Sequence, residues 1–198
     1  MSDVVVTEFI TVDGVIEDPG GAERETFAAG GWAFRSSRGD EGDRFKLEEL
    51  RAAGAQLLGR RTYEGFARAW PTITDSVGFA ERMNSMPKYV VSTTLQEAAW
   101  ANSTIIREDV PGAVRRLKSE VEGDILVAGS ATLVAALAAA DLVDEYRLMV
   151  FPVVLGTGKR LFPDGIGPYP LRLTGARRAD DCQILVYRRE RAEGGTPG

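Results

Sequence analysis

The sequence predicts an α/β protein built on one largely parallel sheet, and three observations lead there. Short aliphatic runs alternate with helix-spaced apolar segments through the middle of the chain, the pattern of strands joined by crossover helices. Each of the runs "AQLL", "KYVV" and "DILVA" breaks off into glycine, serine or threonine, as buried strands do where the chain turns. The chain then closes on "LRLTGARRAD" and "CQILVYRRE", two strand-like segments close enough to pair antiparallel at a sheet edge. With 198 residues, 44% of them hydrophobic, the natural expectation is one domain around one good core.

Element by element, "VVVTEFITVDGVIE" (4–17) reads as a strand interrupted by the Asp13-Gly14 turn signal. Residues 18–42 are glycine-rich and irregular yet carry Phe27, Trp32 and Phe34, which marks a loop with a job to do. "DRFKLEELRAAG" (43–54) spaces Phe45, Leu47, Leu50 and Ala53 as a helix, with Gly54 as its stop. "AQLLG" follows as a short strand, "RRTYEGFARAW" as a helix closed by Pro71, and "DSVGFAERMNSM" as another helix. "PKYVVSTTL" (87–95) and "STIIRED" (103–109) are strands, and "VPGAVRRLKSEV" aligns Val110, Ala113, Val114, Leu117 and Val121 on one helical face. "DILVAG" and a further helix come next. "LVDEYRLMVFPVVLG" (142–156) alternates apolar residues with Asp144, Glu145 and Arg147, a strand expected to be exposed on one side at its start. Residues 1–190 form the expected domain, and 191–198, ending in "AEGGTPG", read as a disordered tail.

Composition removes several chemistries. There is no histidine, so Ser-His-Asp and Cys-His machinery and His-based zinc sites are excluded, and no metal is expected. The single cysteine, Cys182, lies in a predicted strand and reads as a structural thiol. A net charge of −5 with only isolated arginine pairs argues against a nucleic-acid footprint, though not against one small phosphorylated ligand. No apolar run nears the roughly 18 residues of a membrane span, and "MSDVVVTEFI" lacks a charged leader, so a cytoplasmic protein is expected.

The three strand ends concentrate the binding chemistry. They carry Gly59, Arg60, Arg61 and Thr62; Ser92, Thr93 and Thr94; and Ala128, Gly129, Ser130, Ala131 and Thr132. In a parallel sheet all three lie along one edge, where ligands of open α/β sheets bind. Two helix starts, two guanidinium forks and several hydroxyls are what a dinucleotide needs: pyrophosphate between the helix N-termini, and a further phosphate on Arg60 or Arg61 with Thr93 or Thr94. At Gly129-Ser130 two readings stand side by side. Ser130 is either a plain helix N-cap, or the turn lets phosphates approach closely. No GxGxxG follows the first strand, and "LGTGKRLF" (155–162) fails as a P-loop because Val153 and Arg160 stand where glycine and Ser/Thr belong. It reads as a loop at the sheet end, a substrate-side wall or a dimer contact.

In that order, "LLGRRTYEGF", "MPKYVVSTTL", "GDILVAGSATLVAAL" and "DLVDEYRLMVFPVVLGTGKRLF" resemble the dihydrofolate-reductase-like superfamily over residues 4 to 189. The nearest likeness is to the reductase domain of bacterial bifunctional riboflavin-biosynthesis deaminase/reductases. The resemblance implies a mixed, mostly parallel sheet of about eight strands flanked by helices, binding NADPH, in a homodimer. It implies Arg60 and Thr93/Thr94 on the adenine-side phosphate, and Arg61, Thr62 and the 129–132 turn on the pyrophosphate. Gly129-Ser130 stands where the family has a glycine pair, so Ser130 is a departure. Counting back from Gly59, Asp43 matches the folate enzymes' helix carboxylate, an expected substrate anchor or proton relay, and Trp32 with Phe34 is an expected lid over the ring. The expected activity is hydride transfer to a small heterocyclic or carbonyl substrate, of the 5-amino-6-(5-phosphoribosylamino)uracil reductase type. Authentic dihydrofolate reductase and a non-catalytic dinucleotide-binding or sensing protein are the alternatives.

Overall fold

The aliphatic run Val4–Val6 places the first strand at the centre of the molecule. In the computed structural model, which describes residues 1–21, 26–164 and 167–191, β1 (Val4–Thr11) lies between β5 (Asp124–Ala128) and β6 (Glu145–Phe151), parallel to both. β2 (Ala53–Gly59), β3 (Lys88–Val91) and β4 (Ser103–Ile106) extend the parallel sheet on one side. β7 (Leu171–Ala179) and β8 (Cys182–Arg189) close the other side antiparallel, as expected. The order is β4-β3-β2-β5-β1-β6-β8-β7, a mixed sheet of eight strands.

Helices cover both faces. α4 (Val110–Glu120) and α5 (Ala131–Ala139) bury Val114, Leu117, Leu133, Val134 and Leu137 against Val4, Val6, Ile125 and Val127. On the opposite face α1 (Gly39–Ala52), α2 (Arg60–Ala69) and α3 (Phe79–Ser85) pack over Val5, Leu58, Val90 and Leu126. A third cluster, Trp32, Phe45, Met149, Phe151, Cys182 and Ile184, joins α1 to the β6–β8 side. Burial on both faces is why the central strands read as continuous apolar runs instead of alternating ones.

Three expectations are corrected. α1 starts at Gly39, not Asp43, and Gly54 does not stop it. The helix passes directly into β2, where Gly54 sits at an irregularity in the pairing with β5. A side chain there would run into the Glu122 carbonyl and the Val121 side chain. The start of β6 is not exposed on one side, because Asp144 and Glu145 are buried. Their charges are met within the fold: Asp144 by the distant Lys118, Arg191 and Val4 N–H, and Glu145 by Arg147 on its own strand and by the distant Arg188. Charged alternation marks an exposed face only when no counter-charges fold over it. The residues of the expected tail beyond Arg191 lie outside those described.

Candidate active site

Because β3, β2 and β5 are adjacent and parallel, the turns after Val91, Gly59 and Ala128 emerge along one edge of the sheet. Ser92 is buried, and its hydroxyl accepts the N–H groups of Thr94 and Leu95, a tight hydroxyl turn that ends β3 early and leaves Thr93 and Thr94 exposed. α2 opens at Arg60 and α5 at Ala131, both without a side-chain cap. Two helix starts therefore carry uncapped first-turn N–H groups on the same edge, an anion-binding arrangement.

Gly129 and Ser130 both adopt left-handed backbone, with φ of 61° and 63°. Ser130 occupies the N-cap position, but its hydroxyl does not cap α5. It accepts the Gly59 N–H at 2.9 Å and bonds the Thr62 hydroxyl at 2.8 Å. The serine thus ties the β2–α2 turn to the β5–α5 turn. The N-cap reading fails because a left-handed serine directs its side chain across the edge of the sheet instead of over its own helix. A Cβ on Gly129 would lie 2.6 Å from Thr62 Oγ1, so glycine is also required by this neighbour. Arg60 is half-exposed and paired with Glu64 one turn along α2, both carboxylate oxygens at 3.1 Å. Arg61 is exposed and makes no ion pair among the described residues; against burial, the Glu17 carboxyl is held below its usual range chiefly by Lys159, with the Arg61 charge a smaller contribution.

Beside this row, at the end of β1, a cavity of about 190 Å³ is lined by Phe9, Ala33, Phe34, Ser36, Arg38 and Asp43. Asp43 is exposed and paired with Arg38 at 2.5 Å. Trp32 is placed in the core, 1% exposed, its indole N–H donating to the Glu17 carbonyl and its ring edge-on to Phe151. Phe34, 78% exposed, is the aromatic of this segment that reaches the cavity rim. A larger concavity of about 670 Å³ runs along α2 past Tyr63, Arg68, Leu95 and Trp100, but its walls include none of the strand-end residues.

Sequence reasoning passed over the charged groups behind that cavity. Lys46 on α1 donates to Thr7 and to Glu49, Glu49 is buried, and Arg147 lies 3.8 Å from it. Glu8, on the other side of β1, is buried beside Gly129. The available signal was a glutamate inside "VVVTEFIT", a run otherwise fit only for a buried strand. "LGTGKRLF" is a loop, as expected, with no helix after it among the described residues. Asp13 accepts the N–H groups of Leu155 and Gly156, and Val15 bridges Arg160, so the loop is fastened to the turn after β1. Among the described residues no cluster could hold a metal, and no helix is long and apolar enough to cross a membrane.

Comparison with known proteins agrees with this architecture. The family described as the RibD C-terminal domain matches residues 2–185. YyaP of Bacillus subtilis strain 168, itself uncharacterized, is 32% identical over 139 residues, 66% of this chain and 71% of its own length. YwjB of the same organism, also uncharacterized, is 30% identical over 147 residues, 74% of this chain and 80% of its own. Among solved structures, a protein provisionally assigned to riboflavin biosynthesis in Shewanella sp. PV-4 superposes with a TM-score of 0.75 at 18% identity, covering 96% of this chain and 100% of that one. Acinetobacter baumannii RibD superposes at 0.62 and 18% identity, over 96% of this chain and 59% of its own.

Proposed function

Since the chain belongs to the RibD C-terminal domain family, we propose that it is an NADPH-dependent reductase, working as a homodimer, that transfers a hydride to a small heterocyclic or carbonyl substrate. The observation that carries this reading is the row of three adjacent strand ends with two uncapped helix starts. The residues present fit a dinucleotide: N–H groups at 60–62 and 131–132 for the pyrophosphate, and Arg60 or Arg61 with exposed Thr93 and Thr94 for a further phosphate. When bound, the nicotinamide supplies the hydride, and the chain's part is to bind, orient and exclude water. The cavity at Phe9, Phe34 and Asp43 is the place for the substrate, with Phe34 at its rim.

Names among the structural relatives support one substrate class over the others. One solved protein, from Thermotoga maritima, is a diaminohydroxyphosphoribosylaminopyrimidine deaminase and 5-amino-6-(5-phosphoribosylamino)uracil reductase, and one from Corynebacterium diphtheriae is described as pyrimidine reductase-like. We therefore place this chain's substrate with the aminopyrimidines. The exposed, Arg38-paired Asp43 weighs against authentic dihydrofolate reductase, whose expected carboxylate needs an enclosed pocket. Purified protein should oxidise NADPH only when an aminopyrimidine precursor is added, and not with dihydrofolate or quinone-like carbonyls. Arg60→Ala should weaken NADPH about tenfold and leave NADH unchanged by calorimetry, because a charge-assisted contact is worth roughly 1.5–3 kcal/mol, part of which the Glu64 pair offsets. Tight NADPH binding with no turnover on any of these compounds would instead favour a non-catalytic dinucleotide-binding protein.

A further inference from the structure

The Glu8 carboxyl has no role in the site described above, yet it lies at the turn that opens α5. Its β1 neighbour Thr7 pairs with Ala128, which brings Glu8 level with Gly129, whose backbone N–H is directed to the carboxyl. Glu8 is 5% exposed, and its Oε1 is buried with no hydrogen-bond partner. Such an oxygen, buried without a partner at the turn that leads into α5, is costly unless the group is neutral or a ligand completes it.

We propose that Glu8 is a positioning residue for a phosphate-bearing ligand at the Gly129–Thr132 helix start: protonated, it steadies the turn, and ionised, it repels the anion. The charges around it do not remove that repulsion. From α1 it feels Lys46 and Glu49, but the Lys46 ammonium is already engaged by Glu49 and Thr7. α5 carries no charged residue, and the β6 residue paired with Glu8 is Leu148. Burial, the dominant influence, pushes the carboxyl up to about 8, whereas the Gly129 N–H and Lys46 act in the opposite direction. At neutral pH the acid is therefore neutral and compatible with phosphate. Above that range its proton goes to solvent, and a buried negative charge faces the ligand. In a medium of low dielectric two like charges so placed exclude one another.

Thermodynamic linkage fixes the signature. An anion that binds only the protonated form loses up to about tenfold in affinity between pH 7 and pH 9 if the midpoint is near 8. The inference rests on the reductase reading where NADPH is the probe, and inorganic pyrophosphate makes it independent of that reading. Calorimetric Kd values for both probes should rise severalfold from pH 7 to 9 in the native protein. They should stay flat in Glu8→Gln, which keeps the shape of the neutral acid. A carboxyl ¹³C titration of the native protein, with the signal assigned through its correlation to the Glu8 backbone, should show a midpoint near 8. That assignment keeps the test independent of whether the variant folds, and a midpoint below 6 overturns the proposal. So does a flat Kd in the native protein, an undiminished slope in Glu8→Gln, or failure of both probes to bind. Coupled pyrophosphate binding without NADPH binding would leave the proposal standing and sink the reductase reading.

Discussion

Gly129 shows how much one missing side chain decides. Its φ of 61° would cost an L-residue roughly 1–2 kcal/mol, and a Cβ would press on Thr62 at 2.6 Å. Gly129→Ala should therefore destabilise the fold by about 2 kcal/mol even without ligand, lowering the Tm by several degrees. Pairing it with Thr62→Ala should recover the packing part, and any NADPH affinity still lost in the pair would belong to the ligand. Ser130 gives the complementary series. Ser130→Ala keeps the left-handed strain and loses the bonds to Gly59 and Thr62, while Ser130→Gly loses the bonds but relieves the strain. Melting temperatures should run native, then glycine, then alanine, and alanine melting above glycine would refute this account. Glu8 adds a pH dependence of stability. Its folded-state carboxyl is raised, so its contribution is complete below about pH 4.5 and is lost as pH rises through about 8. The hydroxyls and glycines of the strand ends were legible in the sequence because each closes an aliphatic run. What Ser130 bonds was not, because Gly59 and Thr62 are about 70 positions away, and only strand order brings them to it.

At the scale of elements, the strands and helices were legible where periodicity was clean, and their ends were not. α3 begins at Phe79 because Asp75 accepts the N–H groups of Val77, Phe79 and Ala80 ahead of the helix. These bonds also hold the Asp75 carboxyl below its usual range. β3 ends at Val91 because the Ser92 hydroxyl takes the next free N–H groups. Lys88 is the least expected residue of a strand, fully buried at its start. Its ammonium donates to the carbonyls of Asn84, Met86 and Ala101 and lies 4.3 Å from the centre of the Trp100 ring. It ties the end of α3 to the loop before β4. Burial draws its pKa down to about 8. Folded protein therefore binds this proton less tightly than unfolded chain, and stability should rise with pH between about 8 and 10.5. Lys88→Met removes the charge but leaves three carbonyls without donors. It should cost roughly 3 kcal/mol by urea denaturation and abolish that alkaline rise. A variant as stable as the native protein at pH 7 would show that water replaces the ammonium.

For the molecule as a whole, parallel order was predictable from the alternation of strands and helices, and the antiparallel close from the two final segments. The assembly is a separate matter. The apolar 146–156 stretch needs no partner to cover its strand, because β6 lies between β1 and β8. The need moves to the loops beyond it. Val12 and Val154 are 63% and 67% exposed and come from neighbouring backbone, the Val12 N–H donating to the Val153 carbonyl. The turn and the loop are held rigid there by Asp13, whose carboxyl is drawn down to about 2, first by the Thr11 hydroxyl and then by the Gly156 and Leu155 N–H groups. Two exposed valines on a fixed ridge at the end of the sheet are a surface that a second copy can cover without ordering anything new, which lowers the entropic cost of association. Light scattering at micromolar concentration should therefore return twice the 21.4 kDa chain mass. Val154→Asp should shift that mass toward the monomer by placing a charge in the contact, with the Tm of the dilute protein unchanged. A monomer in the native protein would overturn the homodimer. A dimer indifferent to Val154→Asp would move the contact elsewhere, and the open edge of β7, where Leu173 is 52% exposed, is then the place to introduce the next charge.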